Sequence, residues 1–187
     1  MKKSLRAAVT LVTVAALCAC ASADPKYYTL QTQPGGQRDH APAVIELRRV
    51  TLAGYLDRAD IVRGSDNFQL RIADGARWGE PLGDMTGRIL AADLTQRLPQ
   101  STVYANAGAI TLPPDARVEV DVLHFDAAPD GTVTLDITFA VLAGQIRVAR
   151  HQIFTAPSTG TGISGQAAAM SSALGQAADA IAGALSG

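Results

Sequence analysis

The second half of the chain alternates apolar and polar residues with a period of two. Over residues 133–141 every second position is large and apolar, which is typical of a strand with one buried face. The same alternation runs over 118–125, where a slip at Leu123 predicts a bulge or a twist. A third apolar–polar segment follows at 145–155 after the Ala143-Gly144 turn. These segments predict three antiparallel strands joined as a meander.

The first half holds shorter apolar runs that are separated by turns. Turn residues at 55–58 and 64–67 divide this part of the chain. The short runs predict strands at 27–30, 43–52, 68–72 and 102–105.

Two segments have helical spacing instead. The first begins at Pro81, a residue suited to the first helical position, and is closed by Pro99. The second covers 164–185, and its apolar face consists of Ala167, Met170, Leu174, Ala177, Ile181 and Leu185. Its other side is rich in small residues, so the helix is either buried on its own sheet or contacts a partner through the side that carries Ala168, Ser172 and Gln176.

The order of elements is strands, helix, strands, helix, without an internal repeat. This order predicts an α/β (α+β) fold in a single domain: a mixed β-sheet with an antiparallel meander, flanked by two long helices. The domain is expected to cover residues 27–187.

The N-terminus has the pattern of a secretory signal peptide. Lys2, Lys3 and Arg6 precede an uncharged run over 7–19, which at about 20 Å as a helix is too short to span a bilayer core of about 30 Å. The run ends in Leu17-Cys18-Ala19-Cys20, which matches the lipobox of bacterial lipoproteins. We therefore predict a signal peptide at 1–19, a lipid on Cys20 and a tether at 20–26. The alternative is an ordinary signal peptide in which both cysteines are incidental.

The residues after Cys20 bear on which membrane holds the anchor. In enteric-type bacteria an Asp directly after the lipid-modified Cys retains a lipoprotein in the inner membrane, whereas Ala21 and Ser22 follow here. We expect attachment through acyl chains to the periplasmic face of the outer membrane.

Charge and cysteine content narrow the classes of partner. Three of the 16 basic residues leave with the signal peptide, so 13 face 17 acidic residues and the mature net charge is −4. A mildly acidic chain without a basic run indicates no nucleic-acid partner. Because Cys18 leaves with the signal peptide and Cys20 carries lipid, no disulfide framework is expected.

Candidate chemistry is sparse. Gly160 to Gly165 matches G-x-G-x-x-G, but no second strand follows the helix, so a nucleotide site is not expected. His40, His124 and His151 with Asp126 lack the spacing of a metal site. Acidic pairs such as Asp126 with Asp130 are interpreted as solvated turn residues. The sequence predicts no enzyme, no metal, and no cofactor other than the covalent lipid on Cys20.

Several stretches in combination resemble the PqiC-type family of ABC-transport auxiliary lipoproteins. They are Tyr27-Tyr28-Thr29-Leu30, Val50 to Arg58 followed by Asp60-Ile61-Val62-Arg63, and Arg77-Trp78-Gly79-Glu80-Pro81-Leu82. The resemblance implies an accessory lipoprotein of an MCE-type system that moves lipids between the inner and outer membranes and supports envelope integrity. It also implies a fold like that of the N-terminal domain of TolB, and a periplasm-spanning MCE protein as partner.

Within the matched stretches, Tyr55, Arg58, Arg63 and Trp78 are the candidates for docking this partner, because aromatic and Arg side chains are favoured at interface hot spots. The alternative for 55–58 is that Tyr55 and Leu56 pack inward while Asp57 and Arg58 hold the turn by local hydrogen bonds. For Trp78 the alternative is core packing. The sequence is also compatible with a homo-oligomer. The alternative functions are a structural envelope-assembly lipoprotein and a lipid-anchored periplasmic hydrolase.

Overall fold

A computed structural model describes residues 24–66, 68–106, 109 and 112–187. The predicted signal peptide, Cys20, Ala21 and Ser22 lie outside the described residues. The helices are α1 (Leu82–Arg97) and α2 (Gly162–Ser186). The strands are β1 (Lys26–Tyr28), β2 (Val44–Leu47), β3 (Thr51–Leu52), β4 (Asp60–Asp66), β5 (Gln69–Trp78), β6 (Thr102–Ala105), β7 (Ala116–Ala127), β8 (Val133–Ala143) and β9 (Ile146–Ala156).

The predicted meander forms the centre of the fold. Strand β8 pairs antiparallel with β7 on one side and with β9 on the other, each time over its whole length. The register shifts between Val122 and His124, which confirms the irregularity predicted from the slip at Leu123. Alternate residues of β8, from Val133 to Val141, are buried beneath the helices.

The mixed α+β architecture is confirmed, with the strands divided between two sheets. The larger sheet has the order β6-β2-β7-β8-β9, and its strands β2, β6 and β7 pair in parallel. Strand β3 also pairs in parallel with β7, so the single strand predicted over 43–52 is two short strands. The smaller sheet has the order β1-β5-β4.

The turn predicted over 64–67 is displaced toward the C-terminus, because β4 continues through Gly64 to Asp66, which pairs with Gln69 at the start of β5. Gly64 has a φ of +105°, and a Cβ atom there would lie 2.0 Å from the carbonyl oxygen of Ala127. Glycine is therefore required for the close approach of β4 to the end of β7. Strand β5 also extends to Trp78, well past the predicted end of the run at Ile72.

Both helices cover the inner face of the larger sheet. The predicted apolar face of α2 is buried throughout, from Ala167 to Leu185, and α2 packs on β8, β9 and α1. This confirms the interpretation of α2 as a helix buried on its own sheet. Ala168 and Gln176 are exposed on its other side, and Ser172 is half-buried. None of the helices within the described residues is long and apolar enough to cross a membrane.

Candidate functional site

The segment 55–63, here called the docking segment, leads from β3 into β4. Its first turn is fastened by backbone bonds from Ala53 N–H to Val122 O (2.8 Å) and from Leu56 N–H to Ala53 O (2.9 Å). Leu56 is buried and Tyr55 is half-buried, so both pack inward as one interpretation predicted. At the other end, the backbone N–H of Trp78 donates to Ala59 O (2.8 Å).

A ring of three side chains holds Tyr55 against the end of β7. The Tyr55 hydroxyl donates to Oδ2 of Asp126 at 2.8 Å and lies 3.1 Å from Nδ1 of His124. Nε2 of His124 lies 2.9 Å from Oδ1 of the same carboxylate. The Asp126 side chain is only 3 % exposed, which corrects its interpretation as a solvated turn residue. Asp126 is buried because both of its oxygens have partners.

All three hydrogen bonds among Tyr55, His124 and Asp126 form at once when His124 is protonated. Nε2–H then donates to Asp126, Nδ1–H donates to the Tyr55 oxygen, and the Tyr55 proton remains directed at Asp126. The hydrogen bond to Asp126 raises the pKa of His124 above its ordinary value, although burial lowers it. The negative charges of Asp126 and of Asp136 on β8 act in the same direction. Burial and Asp126 also raise the pKa of Tyr55, which keeps the hydroxyl protonated.

We predict that this ring makes stability depend on pH near neutrality. Because the folded-state pKa of His124 is raised, its contribution is complete below the unfolded value of about 6.5 and is lost as pH rises through the folded value. The contribution is at most about 1 kcal/mol, since the imidazole is 40 % exposed. Urea unfolding of wild type and of His124→Gln at a series of pH values measures it.

The difference in unfolding free energy between wild type and His124→Gln is expected to shrink as pH rises. His40→Gln provides the control, because His40 is exposed in the loop before β2 and its side chain makes no hydrogen bond among the described residues. A difference between wild type and His124→Gln that stays constant with pH would contradict the prediction.

The structure places the other candidate docking residues at different depths. Arg58 and Arg63 are exposed. Within the described residues neither Asp57 nor Arg58 makes a side-chain hydrogen bond in the turn, so local bonds from these side chains do not hold it. Trp78 is 5 % exposed and packs in the core, where its backbone supports the docking segment while its indole contributes almost no surface.

The remaining candidate motifs stay apart or have structural roles. His124 and His151 lie on opposite sides of β8, and the described residues contain no group of three or more His, Cys, Asp or Glu side chains arranged to hold a metal ion. In the 160–165 motif, a Cβ atom on Gly165 would lie 2.4 Å from the Gly160 carbonyl oxygen. Gly165 therefore permits the loop to fold tightly against the start of α2.

Arg97 is buried, which the sequence pattern did not predict. The side chain of Arg97, the last residue of α1, is 1 % exposed, and its Nε donates to Oδ1 of Asp179 on α2 at 2.6 Å. Its other nitrogens donate to main-chain oxygens of Asp93 (3.1 Å), Gly175 (3.0 Å) and Gln33 (3.0 Å). The only available signal was that Asp179 is the one charged residue in an otherwise small and apolar helix.

The same fold occurs in solved structures of low sequence identity. A crystal structure of an uncharacterized protein superposes with a TM-score of 0.71 at 19 % identity, covering 86 % of this chain and 97 % of that one. Protein XCC0632 from Xanthomonas campestris superposes with a TM-score of 0.66 at 18 % identity, covering 84 % and 93 %. No curated protein matches the chain.

These similarities define the structural class of the chain as a mixed α+β domain. The sequence identifies the family of the chain, which the fold alone does not. Residues 28–182 match the family described as ABC-type transport auxiliary lipoprotein component, and the chain belongs to that family. This confirms the resemblance inferred from the motifs, and it associates the chain with a transport system through an auxiliary component, which is not a class of enzyme.

Proposed function

We propose that the protein is an outer-membrane-anchored periplasmic lipoprotein that serves as the docking subunit of an MCE-type ABC system moving lipids between the two membranes. Family membership over residues 28–182 is the observation that carries this proposal. The lipobox ending at Cys20, with Ala21 and Ser22 behind it, supports anchoring on the outer membrane. The docking segment supplies a surface on which a periplasm-spanning MCE protein can be held.

Two properties of the docking segment suit it to binding a protein. It is fixed at both ends, by the Tyr55 ring and by the Trp78 backbone, so little conformational entropy is lost when a partner binds. It also presents the exposed cations Arg58 and Arg63. Arginine binds carboxylates through two parallel hydrogen bonds, and it is enriched among residues that dominate binding energy.

We predict that Arg58→Ala and Arg63→Ala weaken partner binding without weakening the fold. Both side chains are exposed, so each variant is expected to melt within a degree or two of wild type. If the side chains contact the MCE partner, the amount of partner that co-purifies should fall about tenfold or more, and envelope permeability should increase. Thermal melting, co-purification and a permeability assay measure the three effects.

Arg147→Ala is the matched control, since Arg147 is also an exposed arginine and lies on the edge strand β9. It should leave melting, co-purification and permeability unchanged. If Arg58→Ala and Arg63→Ala both behave like this control, the docking segment is not the interface. The next surface to test is then the side of α2 with Ala168, Ser172 and Gln176, through which a homo-oligomer is also proposed.

A further inference from the structure

The tip of the β4–β5 hairpin carries apolar side chains that the core does not use. Phe68 is fully exposed, with a relative accessibility of 105 %, and Leu70 is 39 % exposed. Phe68 also has a φ of +65°, a conformation that a bulky side chain rarely adopts. Folding therefore gains nothing from a phenylalanine at this position, so its use has to be sought outside the domain.

Strand β1 lies beside the last three residues of β5, at the end of that strand away from the hairpin tip, but its direction makes the chain before it point toward the tip. Strand β1 runs parallel to β5, with Tyr27 beside Arg77, and Arg77 is in turn paired with Asp60 of β4. Because β1 and β5 run in the same direction, the residues before β1 come from the side on which β5 begins. Strand β5 begins at Gln69, next to Phe68.

The tether and the hairpin have similar reach. From Cys20 to Tyr27 an extended chain spans at most about 25 Å. From Asp60 to Asp66, strand β4 advances by up to about 20 Å toward the tip. A tether that is less than fully extended therefore brings the tip to the surface of the membrane in which the Cys20 lipid is embedded.

The chemistry of the tip fits a phospholipid surface. Phe68 and Leu70 provide apolar groups that can enter the boundary between headgroups and acyl chains. Arg71, exposed just behind them, can remain at the level of the lipid phosphates. Its guanidinium also donates to the Arg63 carbonyl oxygen at 3.4 Å, which directs it along the hairpin.

We propose that the β4–β5 hairpin tip is a second membrane contact, in which Phe68 and Leu70 insert into the leaflet that holds the Cys20 lipid. The contact would fix the orientation of the domain on the membrane, which a tether alone leaves free. This inference rests on the proposed lipid anchor, because the anchor is what brings the tip to the bilayer.

The test uses the full lipidated chain, purified and reconstituted into vesicles of phosphatidylethanolamine and phosphatidylglycerol. Gln69→Cys places an environment-sensitive fluorophore beside an intact Phe68, since the mature chain has no other cysteine than Cys20. Spin-labelled lipids quench a fluorophore that enters the bilayer. Ile146→Cys is the control, because Ile146 is also exposed, at 56 %, but lies elsewhere in the fold. Strand β4 approaches the end of β7 at Ala127, next to the start of β8, whereas Ile146 pairs with Ala143 at the opposite end of β8.

We expect a blue shift and quenching for the fluorophore at position 69, and neither effect for the fluorophore at position 146. The substitution Phe68→Ser should reduce both effects at position 69. Equal behaviour at the two positions would overturn the proposal, as would a blue shift without quenching, which indicates contact with another copy of the chain instead of with lipid. Flotation with the vesicles tests the anchor separately. A chain that does not float overturns both the anchor and the contact, whereas a chain that floats without quenching overturns the contact alone.

Discussion

Replacing Arg97 with methionine is expected to destabilise the protein by about 2–4 kcal/mol, somewhat less than breaking a fully buried ion pair costs, because the Arg97 side chain is buried while its partner Asp179 is half-exposed. The guanidinium donates to Asp179 and to four main-chain oxygens that approach it from both helices and from the loop after β1. Methionine fills a similar volume but donates nothing, so these acceptors lose their partner. Asp93, whose side chain is buried beside Arg97, also loses a neighbouring positive charge.

Such a loss is a large part of the roughly 5–15 kcal/mol that stabilises a typical domain. Urea unfolding measures it. Arg88→Met is the matched control on the same helix, because Arg88 is 54 % exposed and pairs only with Glu80 among the described residues. This control should cost less than about 1 kcal/mol. Equal losses in the two variants would show that the Arg97 network contributes no more than a surface ion pair.

The burial of Arg97 could not be predicted from the helical pattern. Arg97 and Asp93 lie off the apolar stripe of α1, where charged residues normally face water. The structure instead places α2 and the loop after β1 over that side. Gly35 adds to the enclosure, because a Cβ atom there would lie 2.2 Å from the Arg97 guanidinium carbon. Only the tertiary arrangement of segments far apart in sequence brings these groups together.

The alternation of apolar and polar residues was sufficient to predict the meander, because its strands β7 and β8 each bury one face over many residues. The same pattern was insufficient to predict the smaller sheet. Strand β1 is three residues long, and β4 and β5 pair with two shifts of register, so no sustained period marks them. Gly64 was misinterpreted because glycine serves turns and close backbone contacts equally, and sequence does not separate the two uses.

The docking segment was predicted partly for the wrong reason. One of the two interpretations of its sequence had Tyr55 and Leu56 packing inward, and both do. The turn was expected to depend on its own Asp57 and Arg58, whereas the side chains that hold it are His124 and Asp126, about 70 positions further along the chain. A hydrogen-bonded ring across that separation leaves no periodic signal. Arg58 is not needed to hold the turn, and its side chain is exposed.

Replacing Cys20 with serine is expected to abolish membrane attachment. The thiol is the predicted acceptor of the diacylglycerol, and a hydroxyl in its place would leave the mature chain without acyl chains. At about 0.8 kcal/mol for each buried CH₂ group, two or more chains hold a protein stably, whereas a single chain is marginal. The hairpin tip, with two apolar side chains, is too small a contact to replace them.

Labelling with a fatty-acid probe and membrane fractionation measure the effect. Wild type should be labelled and should migrate with outer-membrane markers on a density gradient, and Cys20→Ser should be unlabelled and leave the membrane fraction. Cys18→Ser is the matched control: it changes the other cysteine of the same segment. Cys18 is predicted to be removed with the signal peptide, so labelling should persist. Labelled Cys20→Ser protein would contradict the lipobox assignment. Wild-type protein migrating with inner-membrane markers would contradict only the sorting inferred from Ala21 and Ser22, and in an enteric host Ala21→Asp should produce that same migration.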